Sequence, residues 1–155
     1  MIQMRQGDLL RADADALVNA VNTVGVMGKG IALQFKQAYP GMFNSYKAAC
    51  DAGEVQVGRM HVVELGEAVK PKWIINFPTK RHWRQPSRIE DVEAGLTALV
   101  EEVRRLGITS IALPALGCGL GGLAWEDVRP RIEAAFADLP EVRVLLFEPA
   151  DRRGR

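Results

Sequence analysis

Lys80 is the residue best placed for covalent chemistry, because it follows the apolar run 73–77 after only two residues. An ordinary lysine has a pKa of about 10.4 and is charged at neutral pH. Nearby cations disfavour the charged form, and Arg81 and Arg84 lie close in sequence. With a lowered pKa, the amine would attack an electrophilic carbon and form a Schiff base; with an ordinary pKa, the ammonium would stabilise charge on a leaving group. The sequence leaves both roles open.

Two glycine-rich loops follow two other apolar runs of the sequence. The loop 25–30, G-V-M-G-K-G, follows the run 16–21, and the loop 116–125 follows the run 110–116. Backbone N–H groups in such loops, close to the positive end of a helix, bind phosphate oxygens. Neither loop has the spacing of the P-loop or of the dinucleotide fingerprint. Two loops at one sheet edge could hold the two phosphates of a pyrophosphate, whereas one loop alone fits a tight turn equally well.

The elements that would position these residues alternate along the chain. Apolar runs with little polar alternation indicate strands that are buried on both faces. They lie at 16–21, 60–65, 73–77, 110–116 and 142–147, with a weaker candidate at 2–6. Helical patterns lie between and after them, at 30–40, 42–53, 88–106 and 125–139. This alternation predicts an α/β fold, with a mainly parallel sheet, helices on both faces, and a ligand site beyond the carboxyl ends of the strands.

The helix 88–106 has the clearest pattern. Its apolar residues recur at steps of three and four and form one face: Ile89, Val92, Leu96, Leu99, Val103 and Leu106. Ser87 and Glu90 have the spacing of a capping box, and Gly107 follows the last turn. In the last helix, Pro130 marks either the true first turn or a kink.

The length, composition and net charge of the chain are those of an ordinary globular domain. The chain has 155 residues, of which 48% are hydrophobic and 25% charged, and its net charge is +1. The length predicts one domain, and the nearly neutral net charge indicates no particular partner. Two cysteines, no apolar signal segment and no membrane-length run predict a cytoplasmic protein. No His, Cys or carboxylate cluster has metal-ligand spacing, so we expect no metal. We also expect no cofactor, a monomer, and a structural role for His61, which lies inside a strand run.

Three stretches together resemble the macrodomain family, whose members are α/β/α modules that bind ADP-ribose. They are 7–22, the glycine loop that precedes "GIALQF", and 114–125, and the resemblance covers nearly the whole chain. It implies a three-layer α/β/α fold with a mixed, mainly parallel central sheet over 1–149. The remaining residues, 150–155, are expected to form a charged tail or the start of a linker.

Within this family, the stretches 27–40 and 76–83 resemble the branch that hydrolyses ADP-ribose linkages with a lysine. More narrowly, they are similar to antitoxins that remove ADP-ribose from thymidine in single-stranded DNA, which implies a cognate ADP-ribosyltransferase toxin as partner. Two alternatives stay open: a hydrolase of protein-glutamate esters or O-acetyl-ADP-ribose, and a non-catalytic reader of ADP-ribose. Relatives that cleave protein esters carry an aspartate near Gly121, and the glycine here makes Lys80 more central.

The resemblance also implies roles for single residues. Asp8 would accept a hydrogen bond from the adenine amino group, with capping of a turn as the alternative. Asn22 would orient the distal ribose through its donor and its acceptor and act with Lys80 in catalysis; without the resemblance it indicates a turn residue. Cys118 fits a small residue in a crowded turn better than a nucleophile. The residues implied to bind ADP-ribose are Asp8, Leu9, Val21, Gly28, Gly30, Ile31, Thr79, Gly117, Cys118, Gly119, Leu120, Gly121 and, as the adenine-stacking candidate, Phe147.

The stretch 80–88 has four Lys or Arg residues and no acid. It also carries aromatic rings that could stack on exposed bases. A basic loop with aromatic residues beside the reaction site suits single-stranded DNA, and we expect DNA contacts from Arg81, His82, Trp83 and Arg84. A solvated charged surface, with Trp83 covering the core, is the alternative.

Overall fold

The computed structural model describes residues 1–149, and the predicted tail 150–155 lies outside the described residues. The described strands are β1 Ile2–Arg5, β2 Ala16–Val21, β3 His61–Glu64, β4 Trp73–Pro78, β5 Ser110–Leu113 and β6 Arg143–Phe147. The described α-helices are α1 Gly30–Ala38, α2 Pro40–Asp51, α3 Ile89–Leu106 and α4 Trp125–Phe136. The predicted alternation of strands and helices is confirmed, including the weaker first strand.

The strands form one sheet in the order β1-β6-β5-β2-β4-β3. Neighbouring strands are parallel except β3 and β4, which are antiparallel. The sheet is therefore mixed and mainly parallel, as predicted. Because parallel neighbours run in one direction, β2, β4, β5 and β6 end at the same edge. Asn22 directly follows β2 and Lys80 lies two residues beyond β4, so this edge carries both side chains.

Alternate side chains of β2 enter two separate cores. Ala16 and Val18 pack in the core that contains α3 and α4, whereas Leu17 and Val21 pack in the core that contains α1 and α2. Helices therefore cover both faces of the sheet, which explains the continuous apolar runs of its inner strands.

The start of α3 differs from the prediction. Its N-cap residue is Arg88, which makes no side-chain cap, and the buried Oγ of Ser87 has no hydrogen-bond partner among residues 1–149. The predicted capping box of Ser87 and Glu90 is therefore wrong, because Ser87 bonds the second glycine loop through its backbone instead. Glu90 and Asp91 still complement the positive end of the helix. Gly107 ends α3 at φ +66°, as predicted.

Prolines set several boundaries that the sequence patterns missed. β5 ends at Leu113 because a proline follows, so the predicted strand 110–116 is too long. α2 begins at Pro40, the residue expected to close α1, because proline is favourable in a first helical turn. Pro130 lies inside α4, which begins at Trp125, so it does not mark the first turn. Within the described chain, no helix has the length and apolar character needed to cross a membrane.

Candidate functional site

A cleft of about 1440 Å³ opens at the edge of the sheet where the inner strands end. Its walls come from the turn after β1, both glycine loops, the loop after β4 and the end of β6. Lys80 and Asn22 line this cleft, and so does every residue implied to bind ADP-ribose: Asp8, Leu9, Val21, Gly28, Gly30, Ile31, Thr79, Gly117, Cys118, Gly119, Leu120, Gly121 and Phe147. The structure brings the predicted set together in one cavity, while the ligand that these residues hold stays a prediction.

Asp8 lies at one end of the cleft, in the turn after β1. Its Oδ1 accepts a hydrogen bond from the N–H of Leu10 at 3.0 Å, so Asp8 caps the 3-10 helix Leu9–Arg11. The capping role considered from the sequence is thus present. Phe147 lines the same cleft from the end of β6 and is half-buried. A carboxylate and an aromatic ring suit a purine that carries an amino group.

Asn22 is nearly buried, with 7% of its surface exposed, and its side chain organises the first glycine loop. Oδ1 accepts from the N–H of Val24 at 3.0 Å and from the N–H of Val26 at 3.4 Å. Nδ2 donates to the carbonyl oxygen of Val26 at 2.8 Å. The hydroxyl of Tyr46, on α2, donates to Oδ1 at 2.8 Å. The turn role considered for Asn22 is therefore present in the structure.

Lys80 joins two loops of the cleft. Its Nζ donates to the carbonyl oxygens of Leu120 at 3.2 Å and of Trp83 at 3.4 Å. Burial lowers the pKa of Lys80, and the positive charge of Lys29 lowers it further. The sequence left a lowered and an ordinary pKa open, and the structure favours the lowered one. The predicted cause, the neighbouring arginines, is wrong, because the cation that acts on Lys80 belongs to the first glycine loop.

The second glycine loop forms a wall of the cleft with its backbone. It contains the 3-10 helix Gly119–Gly121. A Cβ at Gly121 would overlap the Oγ of Ser87, so no side chain fits at this position without a movement of its neighbour. Cys118 is half-buried, its Sγ donates to the carbonyl oxygen of Leu116 at 3.8 Å, and the residue packs on the core that contains α3 and α4. This environment agrees with the packing role expected for Cys118.

The basic stretch after β4 divides into two parts. Trp83 and Arg84 line the cleft, whereas Arg81 and His82 do not. The guanidinium of Arg81 pairs with the carboxylate of Asp91 at 3.2 Å. The ring of His82 stacks on Trp83 at 5.1 Å, and the guanidinium of Arg84 lies 4.6 Å from the ring centre of Trp83. Since Trp83 is 43% exposed, it does not cover the core but offers an aromatic surface at the cleft.

The sequence analysis assigned no role to Lys29, which lines the cleft, or to Tyr46, whose hydroxyl bonds Asn22 behind it. The sequence G-K-G around Lys29 was the signal that could have placed a charge at the cleft. Tyr46 lies in the middle of α2, where an aromatic residue indicates only a buried helix face.

His61 has the structural role expected, on β3 with its Nδ1 3.0 Å from Nδ2 of Asn76. Throughout residues 1–149, no group of three His, Cys, Asp or Glu side chains could hold a metal ion.

Comparison with known proteins shows the family. The model of the Macro domain matches residues 18–132. The chain belongs to the macro domain family. This macro domain is 56% identical over 150 residues to the DNA ADP-ribosyl glycohydrolase of Mycobacterium tuberculosis (strain ATCC 25618 / H37Rv), covering 97% of this chain and 43% of that protein. It is 36% identical over 167 residues to a DNA ADP-ribosyl transferase-DNA ADP-ribosyl glycohydrolase fusion protein of Thermosipho africanus (strain H17ap60334), covering 98% of this chain and 43% of that protein.

Solved structures agree with this assignment. The macrodomain of Mycobacterium tuberculosis DarG matches with a TM-score of 0.95 and 56% identity, over 97% of this chain and 99% of that chain. Thermosipho africanus DarTG in complex with ADP-ribose matches with a TM-score of 0.90 and 37% identity, over 98% of this chain and 42% of that chain. The predicted fold is confirmed. The macro domain spans less than half the length of the two curated relatives named above.

Proposed function

We propose that this macro domain removes ADP-ribose from thymidine in single-stranded DNA, with Lys80 and Asn22 as its catalytic residues. The observation that carries the proposal is the position of Lys80, whose amine has a lowered pKa, lines the cleft and bonds the second glycine loop. Relatives from M. tuberculosis and T. africanus are named as DNA ADP-ribosyl glycohydrolases, which supports the same substrate class for this chain.

The cleft would hold ADP-ribose in one orientation, with each part of the ligand against a different wall. The turn after β1 and the ring of Phe147 would hold the adenine. α1 begins at Gly30, and its N-cap residue Lys29 makes no side-chain cap, so N–H groups of the first turn remain for a phosphate. The backbone of the second glycine loop would hold the diphosphate from the other side. Asn22 and Lys80 would then meet the distal ribose, which carries the base.

In the proposed reaction, the neutral Nζ of Lys80 attacks the anomeric carbon of the distal ribose. A carbon–nitrogen bond forms as the bond to the base breaks, and its electron pair leaves with the base, which takes up a proton. The ribose ring opens to a Schiff base, and water hydrolyses it to ADP-ribose and the free amine. The lowered pKa favours this route over a role for the ammonium, because it increases the neutral fraction of the amine.

The rim of the cleft suits a DNA strand. Trp83 would stack on a base beside the modified thymidine, and Arg84 would contact a phosphate. His82 would extend the stack, and Arg81 would add positive charge that its ion pair with Asp91 reduces. A single strand fits this surface better than a duplex, because its bases are free to leave their neighbours.

The proposed setting is a toxin–antitoxin pair. The T. africanus relative joins a DNA ADP-ribosyl transferase to a glycohydrolase in one fusion protein. We infer from this that the macro domain acts as an antitoxin against a cognate ADP-ribosyltransferase toxin, and that both act on DNA in the cytoplasm. We also infer that the macro domain acts as a monomer.

The test uses single-stranded DNA that carries ADP-ribosylated thymidine. We expect the wild type to release ADP-ribose, and Lys80→Ala to release none while it still binds ADP-ribose in calorimetry. Borohydride should trap the wild type, but not the variant, as a covalent adduct. Lys36→Ala is the matched control, because Lys36 is exposed on α1 and does not line the cleft. A wild type that binds ADP-ribose but leaves the DNA unchanged would contradict the proposal and favour a reader or an ester hydrolase.

A further inference from the structure

We propose that Tyr46 is a positioning residue for the reaction, because its hydroxyl fixes the Asn22 amide so that only an N–H is left for the distal ribose. The inference rests on the proposed function, in which Asn22 orients that ribose. It adds to the residues of the proposed reaction one that lies behind the cleft, since Tyr46 is fully buried and does not line the cavity. It also replaces the expectation that Asn22 offers the ribose both a donor and an acceptor.

The Tyr46 hydroxyl lies between two oxygen atoms of one residue. It is 2.8 Å from Oδ1 of Asn22 and 2.8 Å from the backbone oxygen of Asn22. A hydroxyl carries a single proton, so the two acceptors share it. Tyr46 therefore holds the main chain and the side chain of Asn22 at one point, where β2 ends and the first glycine loop begins.

The Oδ1 atom of Asn22 is saturated with donors. Besides the Tyr46 hydroxyl, it accepts from the N–H groups of Val24 and Val26. If the amide were turned over, its NH₂ group would face these donors, and its oxygen would face the carbonyl of Val26. The network therefore permits one orientation of the amide. In that orientation Nδ2 gives one hydrogen to Val26, and the second is available for an oxygen of a ribose hydroxyl.

The environment of Tyr46 keeps its hydroxyl in the donor state. Burial raises the pKa of Tyr46 well above its ordinary value of about 10, so the hydroxyl stays protonated at neutral pH. Its ring packs against Phe43 at 6.1 Å and His61 at 6.3 Å, centre to centre. Tyr46→Phe would keep this ring and remove only the hydroxyl, which bonds Asn22 and also interacts with Cys50 and the backbone of Gly25.

Tyr39→Phe is the matched control for this substitution. Tyr39 lies between α1 and α2, its ring centre is 6.3 Å from that of Phe35, and it does not line the cleft. Each variant loses one phenol hydroxyl. The hydroxyl lost in Tyr46→Phe is bonded to Asn22.

The first experiment measures kcat/KM on single-stranded DNA with ADP-ribosylated thymidine. We expect Tyr46→Phe to lower kcat/KM by roughly tenfold, the upper range for one lost hydrogen bond, and Tyr39→Phe to change it by less than about twofold. In an Asn22→Ala background, most of the effect of Tyr46→Phe should disappear, because Tyr46 acts through the Asn22 amide. An unchanged kcat/KM, or the same loss in both backgrounds, would overturn the proposal.

The second experiment does not depend on DNA hydrolysis. In ¹⁵N-labelled protein, the side-chain NH₂ signals of Asn22 report the state of its amide directly. We expect these signals to shift and the affinity for ADP-ribose to weaken in Tyr46→Phe, with no change of either in Tyr39→Phe. If the wild type does not cleave the modified DNA, the proposed function fails, yet these two measurements still decide the role of Tyr46. Unchanged signals and unchanged affinity would refute it.

A third variant covers the case in which Tyr46→Phe does not fold. Asn22→Asp keeps an acceptor for Tyr46 but replaces both N–H groups of Nδ2, the one bonded to Val26 and the free one, by an oxygen atom. We expect Asn22→Asp to lose ADP-ribose affinity by at least about tenfold, because a donor to the ribose becomes an acceptor. Wild-type affinity in this variant would show that Asn22 does not act as a donor.

Discussion

Ser87 and Gly121 are in direct contact and together exclude larger side chains from the cleft beside Lys80. The backbone N–H of Ser87 donates to the carbonyl oxygen of Gly121 at 3.0 Å, and the Oγ of Ser87 occupies the space that a Gly121 side chain would need. The Cε of Lys80 lies 3.9 Å from the position that a Cβ on residue 121 would take. An acid at position 121 would therefore require Ser87 to move, which is consistent with the proposed role of Lys80.

Gly121→Asp tests this exclusion. We expect the variant to lose about 1–3 kcal/mol of unfolding free energy, because its new side chain would overlap the Oγ of Ser87. Urea unfolding measures the loss. A second substitution, Ser87→Gly, should restore part of the stability of Gly121→Asp. If it restores none, the cost of the acid arises from another contact.

Ser87→Ala should leave the unfolding free energy unchanged or raise it by up to about 1 kcal/mol. The reason is that the Oγ of Ser87 is buried and has no hydrogen-bond partner within residues 1–149. Ser110→Ala is the matched control, since Ser110 and Ser87 are both 6% exposed, and the Oγ of Ser110 accepts from the N–H of Asp15 at 2.8 Å. That variant should lose about 1–2 kcal/mol. Equal losses in chemical denaturation would mean that Ser87 is hydrogen-bonded in solution.

The pH dependence of kcat should follow the pKa of Lys80. Burial and Lys29 lower this pKa, so the reactive neutral amine becomes populated below the ordinary lysine value of about 10.4. At saturating substrate, kcat should rise with pH and level off above the lowered pKa. Lys29→Ala removes a cation and raises the pKa of Lys80, so the inflection should move to higher pH. A kcat that falls with increasing pH would assign the reaction to the ammonium form.

Trp83→Ala should separate DNA binding from ADP-ribose binding. Stacking of one base on an aromatic ring contributes about 1–3 kcal/mol, so we expect kcat/KM on DNA to fall by roughly tenfold or more. The Kd for free ADP-ribose, measured by calorimetry, should change little. Val69→Ala is the control, because Val69 is 50% exposed and does not line the cleft. Equal weakening of DNA and ADP-ribose would place Trp83 against the nucleotide itself.

Much of the site could be predicted because it depends on where strands end. Parallel strands bring their carboxyl ends to one edge, so the positions of Asn22 and Lys80 after apolar runs were enough to bring them together. The causes of the lowered Lys80 pKa, burial first and then the charge of Lys29, could not be predicted, because both depend on how segments far apart in sequence pack together. The roles of Ser87 and Tyr46 depend on contacts between elements, which local spacing does not encode.

The two hydrogen bonds from Lys80 to carbonyl oxygens link its protonation to the contact between two loops of the cleft. The carbonyl oxygens of Trp83 and Leu120 hold an ammonium group more strongly than a neutral amine, because a charged donor makes the stronger hydrogen bond. Loss of a proton from Nζ therefore weakens the link between the loop that carries Trp83 and the loop that carries Leu120. In the proposed reaction, one titration would thus govern both the reactivity of Lys80 and the contact between these two loops.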